Sequence, residues 1–191
     1  MTGLETVTIR GMVDCWPNEL ADGELPNRYW QIVRTLPRQE KKLCHDLRLR
    51  GIPYLLPMEQ RLRQYRRKGI QRFLVPLISG YVFTPSGPDD REDIYRTERT
   101  AGIIPVDEPV NLAIELHALV ALLRFAESAP MVRPEIIPGK RVRITHGVLT
   151  GVEGIVRKRR GRCELIVNIF ALGTSVSGMV DAELVEVLEP L

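Results

Sequence analysis

Metal binding, nucleophilic catalysis and phosphate cradling each need particular residues at particular spacings, and this chain is poor in all three. Cys44 and His45 are adjacent on what reads as a helix, so they point in different directions and cannot readily hold one ion. His117 and His146 stand alone, which leaves no metal site and no implied cofactor. A phosphate loop of the GxxxxGK[ST] type is missing, as is GxGxxG. No GxSxG elbow presents a nucleophile. Asp107 and Glu108 could act as general acid and base, but a charge pair at the positive end of the following helix explains them better. No catalytic residue is assigned, and the chain is expected not to be an enzyme.

Arginine supplies the other candidate chemistry. From Gln60 to Pro88 there is no acidic residue, while Arg61, Arg63, Arg66, Arg67, Lys68 and Arg72 crowd the first half. A second basic run covers Arg157 to Arg162. Clusters of this kind neutralise phosphates and release counterions, so DNA or RNA backbone contact is expected, against the plainer reading of two solvated loops. The net charge of +3 decides little by itself. Cys15, Cys44 and Cys163 are far apart and odd in number, which suits a reducing cytoplasm and no disulfide framework. Glu115 and His117 interrupt the longest apolar stretch, which is shorter than the ~20 residues that a bilayer crossing needs.

The elements that must position these residues fall into two grammars. Residues 1–28 have no sustained period and read as an extension, ordered in part against the domain after it. Tyr29–Thr35 is aromatic and β-branched and reads as a strand; Pro37 opens a helix that carries Leu43 and Leu47 and stops at Gly51. A short strand at Pro53–Pro57 precedes the basic loop, and Phe73–Leu77 and Gly80–Phe83 look like buried strands. Ser86 is placed to cap a polar helix from Asp89 to about Arg99, and Gly102–Val106 is another strand. Asn111–Ala126 carries Leu112, Leu116, Leu119, Val120 and Leu123 at helical period. Residues 127–134 are a linker by composition. Beyond them the chain has only strand patterns and glycine turns, as in a small barrel. The division is therefore 1–28, 29–126, 127–134 and 135–191, with an α+β domain followed by a β domain.

Two stretches add a family likeness. Gly139 to Val156 is strand, tight turn, strand; with Gly147, Gly151, Gly154 and Val156 in place it closely resembles the KOW motif. Trp30-Gln-Ile-Val-Arg-Thr-Leu-Pro-Arg-Gln-Glu40 resembles the opening of an NGN domain, and Val75-Pro-Leu-Ile-Ser-Gly-Tyr-Val-Phe83 its second hallmark. An NGN domain joined to a KOW barrel is the plan of the NusG family of transcription factors. That resemblance implies a four-stranded antiparallel sheet with flanking helices and an SH3-like β-barrel. It implies a cytoplasmic monomer that docks on the clamp helices of RNA polymerase. By position, the docking residues would be Ile78, Tyr81 and Phe83, with Arg34. Phe170 would anchor a second partner of the barrel, a ribosomal protein or Rho. Arg61 to Arg72 would lie beside DNA. Phe170-Ala-Leu172 and Leu77-Ile-Ser79 depart from the family's usual Phe-Gly-Arg and its phenylalanines before Gly-Tyr, which suggests a specialised, RfaH-like paralogue. The competing expectation is an RNA-binding KOW protein of the ribosome or translation machinery.

Overall fold

The computed structural model describes residues 12–22, 29–65, 69–135, 137, 139, 142–144, 149–159, 162–181 and 189–190. The first sheet is built from β1 (Met12–Trp16), β2 (Gln31–Thr35), β3 (Tyr54–Tyr65), β4 (Gly69–Pro76), β5 (Tyr81–Thr84) and β6 (Thr100–Ile104). All of its pairings are antiparallel. The order is β1-β3-β5-β2-β6, with β4 also paired to β3. Three helices accompany it: α1 (Glu40–Leu49), α2 (Arg91–Tyr95) and α3 (Pro109–Phe125).

Strand alternation gives this sheet two apolar faces. On one, Val33, Leu56 and Val82 pack with Leu43, Cys44 and Leu47 of α1 and with Ile94 of α2. On the other, Trp30, Ile32, Leu55 and Phe83 join the core that contains α3.

The second sheet comprises β7 (Met131–Arg133), β8 (Val142–Arg143), β9 (Glu153–Arg159), β10 (Arg162–Ile169), β11 (Thr174–Val180) and β12 (Glu189–Pro190), in the order β12-β8-β9-β10-β11-β7. The expected barrel is thus a six-stranded antiparallel sheet, and among the described residues no pairing closes β7 onto β12. Gly154 is required where β9 meets β10: a Cβ there would stand 2.8 Å from the carbonyl oxygen of Ile166.

The helix α3 joins the two sheets. Leu112, Glu115, Leu116 and every residue from Ala118 to Leu123 are buried, so the helix has apolar contacts all round and not along one stripe. The same cluster takes in Leu165, Val167 and Ile169 of β10 and Val176 and Val180 of β11. Gly178 lets the second sheet approach: a Cβ there would lie 3.1 Å from both Ala126 Cβ and Leu122 Cδ1. The expected linker is stitched down as well. The Glu127 N–H donates to Met179 O at 2.8 Å, Met179 N–H donates to Ser128 Oγ at 3.0 Å, and Met131–Arg133 forms a strand beside β11.

Other expectations are corrected. The stretch expected as a short strand and a basic loop is one long hairpin, β3 and β4, paired from Met58↔Pro76 to Tyr65↔Gly69. Phe73 and Leu74 are exposed, not buried, because among the described residues β4 has only β3 as a strand partner. The helix expected over 89–99 shrinks to a 3-10 turn at Pro88–Asp90 and one turn of α2. Ser86 does not cap it. Its hydroxyl bonds that of Thr84 at 2.8 Å, and Asp90 caps the turn by accepting from Gly87 N–H at 2.9 Å. The extension contributes β1, which covers the edge of β3 from Met58 to Tyr54.

Candidate functional site

The antiparallel register of β2 and β5 sets Arg34 opposite Tyr81. Just beyond, Thr35 N–H donates to Gly80 O at 2.8 Å, and the buried carboxylate of Glu40 accepts Gly80 N–H at 2.8 Å. The first turn of α1 is thereby tied to the loop before β5. Lys41 Nζ donates to Leu74 O at 2.6 Å and ties the same turn to β4. Between these ties lies an open groove of about 710 Å³ lined by Arg34, Arg38, Lys41, Arg61, Leu74 and Tyr81, among others. Arg61 is bonded to Glu59 at 2.6 Å. Thr35 Oγ1 is buried under the groove and has no hydrogen-bond partner among the described residues. The half-buried Tyr81 ring set among cations suits a partner surface that combines apolar and acidic groups.

Of the residues expected to dock, Arg34 and Tyr81 meet here. Ile78 and Phe83 do not. Phe83 is fully buried against the α3 core and Ile78 is buried beside it. Alternation does place Tyr81 and Phe83 on one face, as expected, but α3 covers that face at Phe83, so only Tyr81 reaches the margin. Arg61 lines the groove, and Arg72 is exposed on β4. Arg66, Arg67 and Lys68 lie outside the described residues, as do His146 and Gly147, and Arg63 is placed only by its backbone in β3. Phe170 is 53% exposed in the 3-10 turn after β10, beside a second cleft of about 630 Å³ lined by Pro105, Val106, Asp107, Glu108 and Leu112. Its outward turn follows from Leu165, Val167 and Ile169 pointing to the core.

Arg38 and Lys41 were missed by sequence reasoning. A signal was available: Lys41 and Lys42 occupy the first turn of α1, where the helix dipole favours carboxylates. Among the described residues no group of His, Cys, Asp or Glu is arranged to hold a metal ion. Among them, too, no helix is long and apolar enough to cross a membrane.

Beneath α1, burial pushes the Cys44 thiol well above its ordinary value of 9.0, and the carboxylates of Asp14 and Glu40 push it further. Burial and then Asp14 also raise Tyr54, whose hydroxyl donates to Asp14 Oδ1 at 3.1 Å. Both groups stay neutral in the fold while the unfolded chain ionises in alkali. Their stabilisation is therefore complete below the unfolded values and fades as pH rises past about 9. Urea unfolding should show stability falling between pH 9 and 10.5, with Cys44 contributing to the fall. A Cys44→Ala chain should show a shallower fall; parallel pH profiles for the two chains would contradict this.

The antiparallel sheet with helices on both faces, opened by Trp30 and closed by the α3 core, is the fold of an NGN-type transcription-factor domain. Residues 28–116 match the family model described as transcription termination factor nusG, so this domain is of the NusG type. A domain of this type supports a role in transcription elongation or antitermination in general. No curated protein matches the chain.

Proposed function

We propose that this chain is an RfaH-like elongation or antitermination factor that binds RNA polymerase through the groove at Arg34 and Tyr81. The observation that carries this reading is the meeting of those two residues in one open groove, since both sit where the NusG resemblance puts the clamp-helix contact. Arg61 and Arg72, with Arg63, Arg66, Arg67 and Lys68 in sequence between them, contact nucleic-acid phosphates near the polymerase. The second sheet is a KOW unit whose exposed Phe170 anchors a ribosomal protein or Rho. The factor works in the cytoplasm as a monomer, by bridging and without catalysis or cofactor.

The test uses the full chain and purified bacterial RNA polymerase. Wild type should bind saturably, and Tyr81→Ala and Arg34→Glu should each weaken binding on the order of 10-fold without lowering the melting temperature by more than a few degrees. A folded wild-type chain that does not bind polymerase would sink the reading.

A further inference from the structure

The hairpin of β3 and β4 has more exposed side chains than phosphate contact requires. Among the described residues, β3 beyond Met58 pairs with β4 alone: β1 reaches only Met58, and β5 meets β3 at Leu55. Among the described residues the outer part is therefore a two-stranded ribbon. The register sets Gln60 opposite Leu74, Leu62 opposite Arg72, and Gln64 opposite Ile70. Alternation then gathers Gln60, Leu62, Ile70, Arg72 and Leu74 on one face. Three of them are large aliphatics in water, with Leu62 37%, Ile70 67% and Leu74 39% exposed. Two strands cannot bury such side chains within themselves, so this face suits an outside surface that would cover them.

We infer that this ribbon face enters the major groove of a B-form DNA duplex. Charge argues for nucleic acid, since the ribbon carries Arg61, Arg63 and Arg72 and has no carboxylate from Gln60 to Pro76. Arg61 is on the opposite face, held by Glu59, which leaves Arg72 as the cation among the aliphatics. Shape argues for the duplex: a B-DNA major groove, about 12 Å wide, admits a two-stranded ribbon, whereas the A-form groove of RNA is too narrow. Chemistry argues for base contact. A guanidinium suits guanine, an amide suits adenine, and leucine and isoleucine methyls suit the thymine methyl. Single strands want an aromatic platform, and this face has none among its described side chains. The Lys41 bond to Leu74 O anchors the ribbon at its base. The inference extends the nucleic-acid contact proposed above and does not depend on polymerase binding.

The test is fluorescence anisotropy of the full chain with a DNA duplex of about 20 base pairs, one of its strands, and the matching RNA duplex, at low and moderate salt. The DNA duplex should bind on the order of 10-fold more tightly than either competitor. Arg72→Ala should weaken duplex binding on the order of 10-fold, and Leu62→Ser/Ile70→Ser several-fold with an unchanged salt slope. All these variants should still bind polymerase as wild type does. Equal affinity for single strand or RNA duplex would overturn the inference. So would Leu62→Ser/Ile70→Ser variants that keep duplex binding and lose polymerase, since the face would then be a protein dock. A wild-type chain that binds duplex and not polymerase would defeat the function proposed above and leave this inference standing.

Discussion

Leu165→Ala, made in the second sheet, is expected to lower the melting temperature of the first sheet by the same amount as its own. Leu165 is fully buried in the cluster that α3 shares with Trp30, Ile32 and Phe83. Truncating a buried leucine costs about 2–5 kcal/mol. For a chain of this size each kcal/mol moves the transition by about 2–4 °C, so the fall should be on the order of 10 °C. Trp16 and Trp30, the only two tryptophans, both lie in the first half of the chain, so their fluorescence follows the first sheet. Hydrogen exchange at the β10 amides follows the second. Coincident transitions that shift together are the expected result. A tryptophan transition unmoved by Leu165→Ala would mean that the halves unfold separately, and that α3 does not couple them.

The second large effect separates Phe83 from Tyr81. Phe83→Ala should destabilise the chain by about 3–5 kcal/mol, because its ring is fully enclosed between β5 and the α3 core. Tyr81→Ala removes a half-exposed ring at the margin of the same core and should cost far less. Denaturant titration of the two variants reads this directly. If Phe83→Ala were as stable as wild type, its burial would be misassigned and the docking face would extend to it. A combined Tyr81/Phe83 variant cannot serve as a binding probe, since loss of binding would follow loss of fold.

Where the period of the apolar residues matched one buried face, the fold was legible in the sequence. Leu43 and Leu47 announced α1, and Leu165, Val167 and Ile169 announced β10 with Phe170 turned outward; β2, buried on both faces through Ile32 and Val33, was legible instead from its aromatic and β-branched run. The hairpin was illegible because its aliphatics alternate with arginine and glutamine and face solvent, a pattern that reads as loop. The run at Phe73–Leu77 misled in the opposite sense: five apolar residues suggest burial, but a strand with one neighbour leaves Phe73 and Leu74 exposed. The α3 stripe understated that helix, because Ala118, Ala121 and Leu122 are also buried, and only contact with a distant sheet explains them. Of the groove, Arg34 and Tyr81 were legible from the family likeness. Arg38 and Lys41 join it through tertiary ties, which the sequence marks only by the lysines in the first turn of α1, where the helix dipole favours carboxylates.

The all-round burial of α3 also sets an order of events during synthesis. Pro109–Phe125 leaves the ribosome before β9, β10 and β11, whose side chains share its core. At ~5–20 residues per second, several seconds pass before Val180 is made. Through that interval the nascent chain carries an apolar helix that lacks its second partner, a substrate for chaperones that bind exposed aliphatic segments. In the finished protein both sheets cover that helix, so its dependence on such chaperones would be seen only while it is being translated.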